Sequence, residues 1–422
     1  MKIAAVFPGQ GSQYVGMGEK LYKEYSTVRN IFEEVSDALS MDFKKLCFDS
    51  KQEEMKKTEN TQPALLLCSY AAFRVFSERW NIVPEVMAGH SLGEISALTC
   101  AEAIDLTTAV KLVKYRAECN NKSVHGTESG MAAVLGGNID KVKQICNELS
   151  DESGKVLGIS NINSEYETVI AGDLALINKF IKLASSEFKR IVPLNISGAF
   201  HSPLMQKAYE LFKEKLKTIH FNRPKYPIIS NVTGTYYGEN ADIVELLSQH
   251  LIKPVLWYDT MLEVKNANID LLIEFGAKQV LTKITRNNFP SIKSFSTDEE
   301  EDIIELKKIF YKEKNSEEIE VDNRIVFDFM DKSLVLAVTT RNYSEINEQE
   351  YSRKIVEPYK KIQQMKNELQ NSDYSGNIYH IQETYDMIKS ILSAKLMQRN
   401  EYKESITDLL TIVEPYKERL LL

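Results

Sequence analysis

Cysteine is scarce in this 422-residue chain: five residues, an odd number, scattered with no Cys-x-x-Cys pair. That argues against a disulfide framework and against a thiolate zinc site, and it fits a reducing, cytoplasmic setting. No apolar run is long enough to span a bilayer, and mean hydropathy is −0.29, so the chain does not read as a membrane protein. The apolar opening stretch, residues 3–7, is stopped by Pro8-Gly9 before a secretory core could form. An excess of positive charge is missing too. The formal net charge is −8, and residues 298–422 hold 26 acidic against 18 basic side chains, leaving residues 1–297 neutral. Such a balance argues against nucleic-acid binding, where basic surface supplies most of the affinity. The acidic tail reads most simply as solvated helix faces.

What is there is globular. Hydrophobic residues make up 43% and charged ones 27%, and the length calls for two or three domains. The first 120 residues alternate short apolar strands with helices. Residues 3–7 are a strand, followed by a glycine-rich turn and a helix through Val35. Residues 63–79 form a buried helix, 86–88 an inner strand, and 92–103 and 107–120 two further helices. That order predicts an α/β sheet with helices packed on it. From about 126 to 196 the rhythm changes: strands at 131–135, 166–171 and 190–195, helices at 140–149 and 173–188. This β-α-β-β-α-β-like order, with three of its strands legible, predicts a small inserted ferredoxin-like unit. The α/β pattern resumes at Ile228-Ile229 and residues 271–275.

Near Ser296 the composition shifts. Residues 298–302 are all acidic and 312–322 mostly charged, so 296–322 reads as a charged linker and 323–422 as a helical extension broken at Gly376. Ile355-Val356-Glu357-Pro358-Tyr359-Lys360 recurs at 412–417. Two copies fit a duplicated helical unit or the shared chemistry of helix starts.

The sharpest chemical signal is Gly89-His90-Ser91-Leu92-Gly93, a G-x-S-x-G between a short strand and a helix. The glycines permit a tight turn that lifts the serine oxygen clear, and the helix that follows aims free N–H groups at a developing oxyanion. Ser91 needs a base. Of six histidines, His90 sits on the turn itself and reads as packing, and His125, His220 and His380 lie in polar or tail segments and read as surface. His201 and His250 both remain, with His201 favoured because it follows an inner strand on a loop. No acid has a telling context. Asp140, Asp173 and Glu187 lie between serine and histidine without distinction, and a backbone carbonyl could orient the ring instead. Pro8-Gly9-Gln10-Gly11-Ser12-Gln13 is a second glycine-rich loop. Tyr14 stands where a dinucleotide fingerprint needs glycine, and no Gly-Lys-Ser/Thr is present, leaving half of an oxyanion hole or a plain strand-to-helix turn. Arg116 on the helix after the elbow reads alone as a surface arginine, but beside a nucleophile it would clamp a carboxylate.

In this order the motifs resemble the malonyl-CoA:acyl carrier protein transacylases and the acyltransferases of polyketide synthases. The resemblance covers residues 1–295. It rests on residues 6–13, 61–65, 88–94, 130–134, 198–202, 231–234, 254–257 and 280–282. It implies an α/β-hydrolase-like core with the ferredoxin-like insertion. Ser91 is the implied nucleophile, His201 the base, Arg116 the grip on the malonyl carboxylate, and Gln62 part of the pocket wall. Main-chain N–H groups of Gln10 and Leu92 would form the oxyanion hole. A carbonyl near residue 250 would orient His201, with His250 standing where relatives usually carry glutamine. Phe200 before His201 is similar to the malonyl-selective form.

The implied activity is ping-pong transfer of malonyl from malonyl-CoA, through a serine ester, to the phosphopantetheine thiol of an acyl carrier protein. No bound cofactor or metal is implied. Residues 329–359 resemble the helical extension of stand-alone, trans-acting polyketide acyltransferases. Rival readings are a trans-acting acyl hydrolase of the same fold, a housekeeping fatty-acid malonyltransferase, and an idle scaffold. Lys189-Arg190 and residues 213–217 are candidate carrier-protein contacts.

Overall fold

A computed structural model describes the chain except residues 125–127, 195, 197, 239–240, 315–320, 372–375, 396–398 and 417–422. It divides into two compact units, Met1–Glu305 and Leu306–Leu422, the division falling within a helix, Glu300–Lys314.

Two sheets organise the first unit. Strands β1 (Ile3–Phe7) and β2 (Val86–Gly89) are buried at every residue, as the interior of a parallel sheet requires. The small sheet follows in sequence: β3 (Ser129–Leu135), β4 (Leu157–Ser164), β5 (Glu167–Asp173) and β6 (Arg190–Pro193). The remaining strands are β7 (Ile228–Ile229), β8 (Val255–Leu256), β9 (Leu271–Glu274) and β10 (Lys293–Ser296). The large sheet runs β10-β9-β1-β2-β7 and is parallel throughout. Phe73 and Phe76 of the buried helix Thr58–Trp80 meet Phe275, just after β9, edge-on, and Phe73 also meets Phe7 of β1 edge-on, while Phe7 and Phe275 pack at a tilt, fixing the helix against the sheet. That helix begins five residues before the sequence suggests, with Pro63 inside it.

The small sheet runs β6-β3-β5-β4-β8. Its first four strands are antiparallel, and β8 adds in parallel to the β4 edge. Alternation along β3 decides its two faces. Ala132 and Val134 pack with Val142, Ile145, Ile177 and Phe180 of the covering helices, whereas Met131 packs with Val169, Ala171 and Ala199, next to the His201 loop. The strand expected over 190–195 stops at Pro193, which lies on the edge strand where a missing N–H is tolerated; Asn195 lies outside the described residues.

The second unit is helical. Helices Asn323–Thr339, Glu357–Gln370, Ile378–Ala394 and Arg399–Thr411 share a core that includes Phe329, Met330, Ile362, Ile381, Ile388 and Leu409. Asp322, Asn347 and Asn377 cap helix starts. His380, expected on the surface, instead closes a capping box: its Nδ1 accepts from the N–H of Asn377. Lys395 is 6% exposed and donates to the carbonyls of Ala337 (2.6 Å) and Thr340 (2.8 Å), closing the C-terminal end of the helix Asn323–Thr339. The repeated hexapeptide has two different structures. The first copy leads through a π-turn into a helix with Pro358 in its first turn; the second, where described, leaves a helix as a 3₁₀ turn.

Candidate active site

The site is built where β1 and β2 end side by side. In parallel sheets the carboxyl ends of neighbouring strands carry the functional loops. After β2 the chain reverses at Ser91, whose φ of 52° and ψ of −112° lie outside the ordinary regions for a residue with a side chain. The flanking glycines make the turn possible by close approach. A Cβ on Gly89 would lie 1.9 Å from the Gly93 carbonyl, and one on Gly93 would lie 2.0 Å from the Phe7 carbonyl. The helix Leu92–Cys100 then starts directly under the serine.

Ser91 Oγ lies 2.8 Å from His201 Nε2. The ring's other nitrogen, Nδ1, is 2.6 Å from the carbonyl oxygen of His250. A carbonyl can only accept, so Nδ1 carries the proton and Nε2 presents a lone pair to the serine hydroxyl. This settles geometrically which of the two histidines faces Ser91: His201 meets it through its ring, and His250 contributes a carbonyl. The intervening acids stand elsewhere. Asp173 accepts from Val156 N and Glu187 pairs with Lys141, while Asp140 lies in the exposed first turn of a helix. Burial, and next the Arg116 cation, push His201 down to about 3, against the pull of the His250 carbonyl.

Arg116 is buried, 3% exposed, not a surface residue. Its Nη2 donates to Ser91 Oγ at 3.2 Å and its Nη1 to Gln62 Oε1 at 3.1 Å. Nε has no partner among the described residues. Burial lowers its pKa to about 10, which leaves it a cation at neutral pH. The guanidinium thus has one neutral amide and one hydroxyl as hydrogen-bond partners, and the buried Glu94 carboxyl is an acid whose charge favours the guanidinium's protonated form.

Gln10 lies in the loop after β1. That loop is closed by Ser12 Oγ and N–H donating to the Gly9 carbonyl, and a Cβ on Gly9 would lie 2.4 Å from the His90 carbonyl, so the loop rests on the elbow. Of the first N–H groups of the elbow helix, that of Ser91 is taken by Asn231 Oδ1, that of Gly93 by His90 O, and that of Glu94 by Ser91 O. The Leu92 N–H is left free of these contacts.

Sequence reasoning missed the layer beneath. Asn231 Oδ1 accepts from Ser91 N (2.7 Å) and lies 3.0 Å from His250 Nε2, while Asn231 Nδ2 donates to Gly89 O (2.7 Å). Glu94, wholly buried, accepts from Asn231 N at 2.7 Å and from the Tyr237 hydroxyl, and burial pushes its pKa up to about 7. The available signal was the carboxylate three residues into an otherwise apolar helix. His90, expected to pack, has its ring 5.7 Å from Trp257 and its Nε2 3.0 Å from Asn163 Oδ1. Of the other histidines, His220 is exposed and His125 lies outside the described residues. Lys213 and Lys217 pair with Glu245 and Glu214, whereas Lys189 and Arg190 are exposed.

The acyl transferase domain family matches residues 5–306. A malonyl CoA-acyl carrier protein transacylase of Bacillus subtilis is 31% identical over 393 residues, 93% of this chain and 96% of that protein, a span that reaches into the helical unit. The crystal structure of FabD from Acinetobacter baumannii superposes with a TM-score of 0.70 at 35% identity, over 74% of this chain and 98% of that one. A malonyl-transacylase solved in complex with a type II PKS acyl-carrier protein gives a TM-score of 0.69 at 32% identity, over 72% and 98% of the two chains. With strand order, elbow and buried arginine in place, the chain belongs to the acyl transferase domain family, among the malonyl CoA-acyl carrier protein transacylases.

Proposed function

We propose that this protein moves a malonyl group from malonyl-CoA, through an ester on Ser91, to the phosphopantetheine thiol of an acyl carrier protein. One observation carries the reading: Ser91 Oγ is within hydrogen-bond reach of both His201 Nε2 and the buried guanidinium of Arg116. A nucleophile, a base and a carboxylate clamp thus converge on one oxygen. In each half-reaction His201 is first base, then acid. It takes the Ser91 proton as the oxygen attacks the thioester carbonyl, then gives that proton to the departing coenzyme A thiolate. In the second half it takes the proton of the carrier thiol and returns it to Ser91 as the malonyl thioester forms. The N–H groups of Leu92 and Gln10 would hold the tetrahedral oxyanion, a term of about 3 kcal/mol per donor. Arg116, steadied by Gln62, would hold the free carboxylate, and Phe200 fits malonyl selectivity. Serine, imidazole and backbone donors suffice, so no resident cofactor or metal is needed; phosphopantetheine arrives on the carrier.

We read residues 1–295 as the acyltransferase domain, with an α/β-hydrolase-like core and residues 126–196 as its ferredoxin-like subdomain. Residues 296–322, expected as a charged linker, hold the last residue of β10 and the helix Glu300–Lys314 and serve as the connection, and 323–422 are the extension. Housekeeping fatty-acid enzymes and the type II PKS transacylase match the catalytic unit alike; the helical extension favours action in trans on polyketide carriers. All five cysteines are free and buried, which suits the cytoplasm. Incubation with labelled malonyl-CoA and no carrier should place a malonyl mass on the Ser91 peptide of the wild type. Coenzyme A release with no retained ester would replace transfer by hydrolysis.

A further inference from the structure

Nothing in the transfer reaction accounts for Asn231, yet three of the four hydrogen-bonding positions of its amide are taken. Nδ2 must donate to the Gly89 carbonyl, so Oδ1 is the atom that faces Ser91 N–H and His250 Nε2. Because Oδ1 can only accept, His250 Nε2 carries its ring proton. His250 Nδ1 has no partner among the described residues, so the bond to Asn231 is what orients that ring. The backbone of the same residue accepts from His201 Nδ1.

We infer that Asn231 is a positioning residue: it ties the backbone of the nucleophile to the residue whose carbonyl orients the base. The connections close a ring, from Ser91 N through Asn231, the His250 side chain and carbonyl, and His201, back to Ser91 Oγ. Ser91 sits at φ 52°, a conformation that persists only when its surroundings hold it, and the Asn231 bond acts on that residue's own N–H. Glu94 in turn accepts from the Asn231 backbone N–H and fixes where the amide starts. Asn231 and His250 are 0% and 1% exposed, so bulk water does not compete for these bonds in the native chain. This inference rests on the reading of Ser91 and His201 given above.

The test uses the full chain and the variants N231A, H250A, H250Q and N231A/H250A. Two rates are read: malonyl-CoA acylation of Ser91, and sulfonylation of Ser91 by an arylsulfonyl fluoride, which reports the nucleophile without assuming the acyl donor. N231A should lose on the order of 100-fold in kcat with KM for malonyl-CoA unchanged, since small misplacements of reacting groups cost that much. H250A keeps the carbonyl but loses the ring and should fall about tenfold. H250Q, which restores an N–H donor, should recover most of that loss, and the double variant should be no slower than N231A. Equal losses in H250A and H250Q, additive losses in the double variant, or effects confined to KM and melting temperature would overturn the inference. Should N231A not fold, the H250A and H250Q pair decides. A wild type that reacts with the sulfonyl fluoride but not with malonyl-CoA would overturn the transfer reading and leave the positioning role to be decided by the sulfonylation rates.

Discussion

The Nδ1 of His201 lies 2.6 Å from the carbonyl oxygen of His250, the position a carboxylate holds in a serine–histidine–acid triad. The substitution has an electrostatic logic. If Arg116, a buried cation beside Ser91, holds the malonyl carboxylate as proposed, a carboxylate behind His201 would compete for that charge. A neutral carbonyl fixes the same tautomer without doing so.

The acid limb of kcat/KM should report the depressed His201. A general base must be neutral, and burial with the Arg116 charge holds His201 far below its ordinary 6.5, at about 3. Activity should therefore persist from neutrality to about pH 5 in brief-exposure assays, where an unperturbed imidazole would already be mostly protonated. A half-point at 6.5 would contradict this. Folding follows the same sign. With His201 and His250 both depressed in the native chain, protons favour the unfolded state, so their contribution is full above 6.5 and declines as pH falls toward the native values, while buried Glu94 and Glu274, raised to about 7, act in the opposite sense as pH rises past 4.5.

Arg116→Ala should separate the acyl groups. Malonyl transfer is expected to fall on the order of 100- to 1000-fold, the usual cost of removing one partner from a buried charge pair, whereas acetyl transfer, which has no carboxylate to hold, should change little. Arg116→Lys should fall between them, since the charge survives but the planar fork does not. Competition between malonyl-CoA and acetyl-CoA, read by mass on the Ser91 peptide, measures the ratio.

Two glycine-to-alanine changes should differ sharply. Gly93→Ala puts a Cβ 2.0 Å from the Phe7 carbonyl, backbone against backbone, and should cost about 3 kcal/mol or more, or prevent folding. Gly11→Ala meets no atom within 4 Å but must adopt φ of 111°, a strain of about 1–2 kcal/mol. Urea titration of both variants tests the ordering.

A chain of residues 1–306 should fold and acylate Ser91 at the wild-type rate. The solved chain of FabD from Acinetobacter baumannii is covered over 98% of its length by 74% of this chain, so that chain has no counterpart of most of the extension. The variant to compare is the full chain, with acylation and carrier transfer measured separately. A slower first step would place the extension in the chemistry; a slower second step alone would place it in carrier recognition.

Apolar runs made β1, β2 and β9 legible, and alternation made β3 and β5 so. β4 was not, because Ser160, Asn161, Asn163 and Ser164 are buried polar residues and two register shifts break its period. β8, two residues long, exists only because β4 offers it an edge. At the site, Ser91 was evident from its glycines and His201 was favoured over His250 only by its loop, while Glu94 and Asn231 stood inside recognisable motifs without showing what they do.

The sequence by itself determined the elbow, because the clash that forbids a side chain at Gly89 involves atoms only a few residues away. It also determined the two buried parallel strands, whose apolar runs have no other use. Only the tertiary structure decided which histidine meets Ser91, that a carbonyl takes the acid's place, and that Arg116 is buried. Ser91 and His201 are 110 residues apart, and His201 and its carbonyl another 49. Contacts at such separations are set by how the β8 segment, the small sheet and the elbow pack together, and no local pattern encodes that closure.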